Sequence, residues 1–229
     1  MELIVIIIVS IILAAILKIV FSINIKKLEK IGMEENLNKL SEKYPSNLEI
    51  CKDILKKLKN EKVQIEEDKE ATTTLYIAIT NKILIADTKN SYTRIQTMAH
   101  ECLHTIQDRK ILMFNFIFSN IYMIYFATIT LLAVFRTLTN ELLYLNIFLL
   151  LSMVYYMVRL FLENDAMIKA KYLAKEYMQE KNISSKEEIE QIVDGFTRLN
   201  DEGIKLINYQ IFLQILIKVI IFASVALIF

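Results

Sequence analysis

Four long apolar runs limit what this chain can fold into more than any other feature. They cover residues 3–23, 111–135, 142–162 and 206–229, and their only charged residues are Lys18, Arg159 and Lys218. A helix needs about 20 apolar residues to cross the hydrocarbon layer of a bilayer, so each run is long enough. We therefore predict a multi-pass α-helical membrane protein with four transmembrane helices: residues 1–23, a hairpin over residues 111–162, and residues 206–229.

The basic residues near the ends of these runs indicate their orientation. One side of the membrane would carry Lys26, Lys27, Lys30, Arg109, Lys110, Lys169, Lys171, Lys175 and Lys205, and the other side only Arg136. Because lysine and arginine accumulate in cytoplasmic loops, the polar segments are expected in the cytoplasm. No basic residue precedes the first run and no small-residue cleavage site follows it, which favours a retained anchor. We expect an integral protein of the cell membrane, in contact with lipid.

Overall charge and cysteine content exclude two classes of protein. The formal net charge is +1, too balanced to predict a nucleic-acid partner. Two cysteines, Cys51 and Cys102, do not make a disulfide framework, and free thiols suit a reducing cytoplasm. We expect Cys102 to be a packing residue.

The polar segment over residues 24–110 is long enough for a small α+β domain. Ser46 and Glu49 have the spacing of a capping box, which predicts a helix that ends near Asn60. An alternating stretch over residues 74–79 and an apolar stretch over residues 83–86 predict a β-hairpin. The second of these strands is either an edge that binds substrate backbone by strand addition or a cover for the core.

The chain contains only two histidines, and they lie in the pattern His100-Glu101-Cys102-Leu103-His104. On a helix this spacing puts both imidazoles on one face, where they can share a zinc ion beside Glu101. Residues 87–91 offer polar caps for this helix, which is predicted to run from about Tyr92 to Arg109 and into the second span. The alternative is a pair of solvated histidines without a metal.

A catalytic zinc takes three protein ligands, so one more donor must reach the same side of the membrane. The hairpin returns the chain to that side at Glu163-Asn164-Asp165, where residues 163–205 are predicted to form cytoplasmic helices, over residues 163–180 and 186–198. Glu163 and Asp165 diverge by about 200° on a helix, so only one of them can face the metal unless the helix starts between them. Asp165 could instead be a charge at the N-terminus of that helix.

The whole chain resembles the YugP-like membrane zinc metallopeptidases. The resemblance rests on His100-Glu101-x-x-His104 followed by Ile106-Gln107, on Glu163-x-Asp165-Ala166 after a two-span hairpin, and on a final apolar run. It implies a zincin-like, gluzincin-type fold in the polar domain and a Zn²⁺ cofactor held by His100, His104 and Glu163. On this basis we favour Asp165 as an acceptor of an imidazole N–H, a role that orients the ring.

These expectations combine into a functional prediction. Glu101 would take a proton from the attacking water, in a zinc-dependent endopeptidase that hydrolyses membrane or membrane-proximal protein substrates. Oxyanion stabilisation is left open among Tyr76, Tyr172, Tyr177 and Arg198. The alternative function is a catalytically inactive relative that serves as a membrane binding or assembly factor. Neither the substrate nor the oligomeric state follows from the sequence.

Gln210, Gln214 and Lys218 recur every four residues in the fourth run and form a polar ridge. A lysine near mid-bilayer costs about 2.5 to 3.5 kcal/mol on insertion scales, so the ridge is expected to face other helices. It could serve assembly through interhelical hydrogen bonds, line a wet path to the zinc, or belong to a small channel or transporter.

Overall fold

A computed structural model describes residues 1–68, 70–87 and 91–229 of the chain. Within these ranges the order of elements is α1 (Glu2–Val20), α2 (Ile25–Gly32), α3 (Glu35–Glu42), α4 (Asn47–Lys57), β1 (Gln64–Asp68), β2 (Leu75–Ile77), β3 (Lys82–Ala86), α5 (Arg94–His104), α6 (Arg109–Val134), α7 (Glu141–Lys181) and α8 (Lys186–Ile228). The backbone divides into two compact units, one of residues 1–23, 114–161 and 205–229 and the other of residues 24–113 and 162–204.

The first unit is built from apolar helix segments. Four helices, α1, α6, α7 and α8, are long and apolar enough to cross a membrane, as predicted. The core of this unit is centred on Tyr122, whose ring stacks on Phe148 at 5.2 Å and on Tyr155 at 4.8 Å between centroids. Stacked aromatic rings of this kind contribute dispersion and quadrupole attraction in addition to the burial of apolar area.

Of the three residues of the polar ridge, one is partly covered by another helix of the chain. Gln210 and Gln214 are exposed in the described chain, against expectation. Lys218 is half-buried, and its Nζ lies 5.5 Å from the centre of the Tyr122 ring. The cation–π contact of Lys218 with Tyr122 joins α8 to α6 at this position.

Two of the predicted helix boundaries are wrong. The third span and the helix expected over residues 163–180 form the single 41-residue helix α7, and the helix over residues 186–198 continues into the fourth span as the 43-residue helix α8. A change from apolar to polar side chains does not interrupt backbone hydrogen bonding, and neither junction contains a proline. Asp165 therefore lies inside α7 and is not a charge at a helix N-terminus.

A break occurs where a continuous helix was predicted. Helix α5 ends at His104 and α6 begins at Arg109. Asn60 donates a hydrogen bond to the Thr105 carbonyl oxygen at 3.1 Å, and Asp108 Oδ1 accepts one from the Lys110 N–H at 2.7 Å. These side chains satisfy backbone groups that a helix end leaves without partners, so the chain can turn here.

The second unit has a three-stranded sheet with the strand order β1-β3-β2. Strands β2 and β3 pair antiparallel, which confirms the hairpin, while β1 pairs parallel to β3. The prediction of β3 as the edge strand is wrong because β1 covers its other side. We did not predict β1, since its sequence Gln-Ile-Glu-Glu-Asp is mostly exposed and lacks an apolar alternation.

The core of the second unit packs α4 and α5 against the sheet and against α7 and α8. The capping box of α4 is present, with both Ser46–Glu49 hydrogen bonds formed. Residues 87–91 were expected to cap α5, and residues 88–90 of this segment lie outside the described residues. Ser91 accepts a hydrogen bond at Oγ from the Thr93 N–H at 3.2 Å, next to the start of α5.

Candidate metal centre

Helix α5 is held at its first residue by a buried arginine. The Arg94 guanidinium donates hydrogen bonds to the carbonyl oxygens of Ser41, Tyr44 and Pro45 and to Asn47 Oδ1, at 2.7 to 3.0 Å. A planar guanidinium with five donors suits such a set of converging oxygens. Together with Asn60 beyond the other end of the helix, it fixes the position from which the two histidines project.

The structure brings both histidines and one carboxylate from α7 together. His100 Nε2 and His104 Nε2 are 3.0 Å apart, as expected for residues one helical turn apart on one face. Glu163 Oε2 lies 3.6 Å from His100 Nε2 and 3.8 Å from His104 Nε2. Within the described residues these three side chains form a group able to hold a metal ion.

The separations of the three donor atoms fit zinc. Donor atoms around a tetrahedral zinc ion with bonds of about 2.0 to 2.2 Å lie about 3.3 to 3.6 Å apart, and the three separations here, 3.0, 3.6 and 3.8 Å, lie around these values. Two imidazoles and one carboxylate are also a donor set found in catalytic zinc sites, which leave one position open. The residues present therefore fit the ion that the sequence predicted.

Glu101 lies beside this group and is not part of it. Its Oε1 is 3.9 Å from His100 Nε2, and its Oε2 accepts a hydrogen bond from the Tyr76 backbone N–H at 2.7 Å. Burial raises the pKa of Glu101 to about 7, although His100 and the Tyr76 hydrogen bond act in the opposite direction. A carboxylate with such a pKa can both accept and return a proton near neutral pH.

The nearby carboxylates change the proton affinity of His100. Burial would lower the pKa of His100, but the hydrogen bond to Glu163 and the charges of Glu101 and Glu163 outweigh it, so the pKa is raised above 6.5. Because a metal ligand must be an unprotonated imidazole, a metal and a proton compete for this ring.

The continuous course of α7 separates the two acidic residues. Glu163 faces the histidines, whereas Asp165, two positions further on, points elsewhere and accepts contacts from Lys169 Nζ at 2.5 Å and from the Gln107 amide at 3.3 Å. Burial would raise the pKa of Asp165, but hydrogen bonds from Lys169 and Gln107 lower it overall. This geometry supports Glu163 over Asp165 as the third ligand.

Gln107 is the residue whose contribution sequence reasoning missed. Its Oε1 lies 2.8 Å from His104 Nδ1. Asp165 was the expected partner of an imidazole nitrogen, and at His104 that partner is Gln107. Asp165 is linked to His104 through this amide. In the sequence, Gln107 stood out only as part of a family resemblance. Its role depends on Leu162 and Asp165 of α7, which are far away in the chain.

Cys102 packs away from the ligands, as predicted. Its Sγ is 3.7 Å from the Sγ of Cys51 on α4, and both thiols are free and fully buried. The contact with Cys51 and burial raise the pKa of Cys102, so the thiol stays protonated. Leu103 also belongs to the hydrophobic core of this unit.

The four residues considered for oxyanion stabilisation have other surroundings. The Tyr76 hydroxyl donates to Asn81 Oδ1 at 2.9 Å, and Arg198 pairs with Glu34 at 2.8 and 3.0 Å. Tyr177 is buried in the core, and the ring of Tyr172 is exposed. None of these contacts selects one of the four for this role.

Searches against protein-family models, curated proteins and solved structures found no match. Function is therefore inferred from the geometry of the His100, His104 and Glu163 group itself.

Proposed function

We propose that this protein is a membrane-embedded zinc metallopeptidase that hydrolyses peptide bonds of membrane or membrane-proximal proteins. One observation carries the proposal: His100, His104 and Glu163 form a zinc-sized triangle of donors, with the carboxylate of Glu101 beside it. Two histidines four residues apart on a helix, with a glutamate after the first, are the usual arrangement of a zinc-dependent hydrolase.

His100, His104 and Glu163 would hold the zinc. When bound at such a site, zinc lowers the pKa of a water molecule to about 7 and polarises a carbonyl oxygen. The chain's own contribution is the orientation of the three donors and of the base.

Glu101 acts as the general base and then as the general acid. Its carboxylate takes a proton from the attacking water and returns it to the amine of the leaving peptide. In the site without a metal, burial raises the pKa of this carboxyl to about 7, which favours acceptance of a proton near neutral pH. The hydrogen bond from the Tyr76 N–H holds the carboxylate in place during both steps.

Strand β2 is the edge that we propose for substrate binding, in place of β3. The Tyr76 N–H bonds to Glu101, so the side of β2 away from β3 faces the catalytic residues at this position, and a bound peptide would pair with other backbone groups of the strand. An extended peptide added to this edge would pass close to Glu101, and strand addition supplies main-chain hydrogen bonds without demanding a particular side chain.

The proposed location follows from the four membrane-length helices and the distribution of basic residues. We place the metal centre at the cytoplasmic face of the cell membrane, because the segments that carry it are flanked by lysine and arginine. Substrates are then proteins whose scissile bonds lie in or near that face.

The variant Glu101→Gln tests the proposal. Purified wild-type protein should bind about one zinc and cleave an unfolded or membrane-bound polypeptide, whereas Glu101→Gln should retain zinc and lose cleavage because the amide cannot accept the proton. Glu190→Gln, which changes a surface ion pair with Lys175, is the matched control and should cleave normally. Equal cleavage by Glu101→Gln would refute the assigned base. Zinc binding without any cleavage by the wild type would favour the inactive relative.

A further inference from the structure

Gln107 lies in the break between α5 and α6, and its side-chain amide reaches two elements of the metal centre. The amide oxygen is 2.8 Å from His104 Nδ1 on α5. The amide nitrogen donates to the Leu162 carbonyl oxygen at 2.8 Å and to Asp165 Oδ2 at 3.3 Å, both on α7. Gln107 thus connects α5, which carries His100 and His104, to α7, which carries Glu163.

The orientation of this amide is set by its partners on α7. A carbonyl oxygen and a carboxylate oxygen are both acceptors, so the end of the amide that faces them must be the NH₂ group. Lys169 Nζ contacts the other carboxylate oxygen of Asp165, at 2.5 Å from Oδ1, so Oδ2 is the oxygen that faces the amide. The oxygen of Gln107 is therefore the end directed at His104.

The orientation of the amide decides the tautomer of His104. An amide oxygen can only accept, so His104 Nδ1 must carry the proton. The Nε2 atom then carries a lone pair and no proton, and it is the atom that faces His100 Nε2 and Glu163 Oε2. A ring with this tautomer is ready to ligate a metal through Nε2.

We infer that Gln107 is a positioning residue that sets the Nδ1–H tautomer of His104 and ties it to the backbone beside Glu163. Leu162 directly precedes Glu163 in the chain. The Gln107 amide therefore fixes both the ring of His104 and the backbone next to Glu163. The inference rests on the metal site of the proposed function but does not depend on peptidase activity.

Nuclear magnetic resonance of the metal-free protein tests the tautomer directly. The chain has two histidines, so ¹⁵N-histidine labelling gives only four ring-nitrogen signals, and His100→Asn assigns them. At about pH 8, above the ordinary histidine pKa of about 6.5, the wild-type His104 should show a protonated Nδ1 and an unprotonated Nε2. Gln107→Met keeps the length of the side chain and removes both hydrogen-bonding groups, so His104 should become a mixture of tautomers.

Zinc affinity, measured by competition with a chelator, is the second readout. Residues that orient a metal ligand typically contribute 10- to 100-fold to affinity, and Gln107→Met should weaken zinc binding by about that factor. Gln96→Met is the matched control, because Gln96 on α5 is also a glutamine that bonds to another helix, but it donates to Asn200 Oδ1 at 2.6 Å. It should change stability and leave both the tautomer and the zinc affinity as in the wild type.

Exchanging donor and acceptor between Gln107 and Asp165 shows whether Gln107 acts through its hydrogen bonds or only through packing. Gln107→Glu alone supplies an acceptor for His104 but faces the carboxylate of Asp165. Combining it with Asp165→Asn supplies a donor to the new carboxylate, although the bond to the Leu162 carbonyl oxygen stays lost. The double variant should therefore recover the Nδ1–H tautomer and only part of the zinc affinity. An unchanged tautomer and affinity in Gln107→Met, with zinc bound by the wild type, would overturn the inference. Failure of the wild type to bind zinc would instead overturn the proposed function.

Discussion

Glu163 and Asp165 present carboxylates of the same chemistry to different partners. Glu163 Oε2 is within 3.8 Å of both histidine Nε2 atoms, whereas Asp165 contacts Lys169 and Gln107. At this scale the direction of each side chain, and not its type, determines its role.

Neutralising each carboxylate in turn should separate these roles. We expect Glu163→Gln to weaken zinc binding by more than about 100-fold because a ligand is lost, and Asp165→Asn by about 10-fold because it acts through Gln107. Chelator competition measures both affinities. A larger loss in Asp165→Asn than in Glu163→Gln would make Asp165 the ligand.

Zinc binding should depend on pH through His100. Its pKa is raised above 6.5 in the metal-free protein, and that of Glu101 is raised to about 7, so both groups stabilise the metal-free fold at low pH and lose this contribution as the pH rises through their pKa values. Zinc binds only the unprotonated imidazole, so the stabilisation of the fold by zinc increases as the pH rises.

The increase in melting temperature caused by zinc should therefore be larger at pH 8 than at pH 6. Differential scanning calorimetry with and without zinc measures this. An increase of the same size at both pH values would show that zinc does not displace a proton from this site.

The packing of α8 on neighbouring elements depends on a single small residue. A Cβ added at Gly195 would lie 2.6 Å from Leu37 Cδ1 and 2.9 Å from the Tyr92 ring, and the Tyr92 hydroxyl donates to the Gly195 carbonyl oxygen at 3.3 Å. The stack of Tyr92 on Phe196, at 5.8 Å between ring centroids, leaves this ring little freedom to move. Close approach of α8 here explains the glycine in a helix interior.

Gly195→Ala should destabilise the protein by about 1 to 3 kcal/mol because it overpacks this contact. Gly203→Ala is the matched control on the same helix, since its Cβ would meet only Met167 Cε at 3.5 Å. Alanine is favoured over glycine in a helix by up to about 1 kcal/mol, so the control should be neutral or stabilising. Chemical denaturation measures both, and equal stability of the two variants would contradict the close approach.

For the molecule as a whole, the membrane orientation is the central expectation. The native cysteines are fully buried, so a membrane-impermeant thiol reagent should react mainly with an introduced cysteine. We expect Thr139→Cys, in the turn between α6 and α7, to react in intact cells, and Glu61→Cys to react only after the membrane is opened. Reaction of Glu61→Cys in intact cells would reverse the proposed orientation.

Local features of the chain were predicted where short-range rules decide the outcome. The membrane-length helices follow from runs of apolar residues, and the proximity of His100 and His104 follows from the helical repeat. The approach of Glu163 was expected because an even number of spans separates it from the histidines. In each case the controlling information lies within one segment or in the count of segments.

Sequence by itself therefore determined the number of apolar helices, the hairpin and the proximity of His100 and His104, because hydrophobicity and periodicity act locally. The preference for Glu163 over Asp165 came from a family resemblance. Only the tertiary structure decided that β3 is central, that the chain breaks between α5 and α6, and that Gln107 orients His104. Each of these depends on a partner far away in the chain, namely β1, Asn60 and Leu162. Hydrogen bonds between distant segments leave no periodic pattern in the sequence, so they become visible only when the chain is folded.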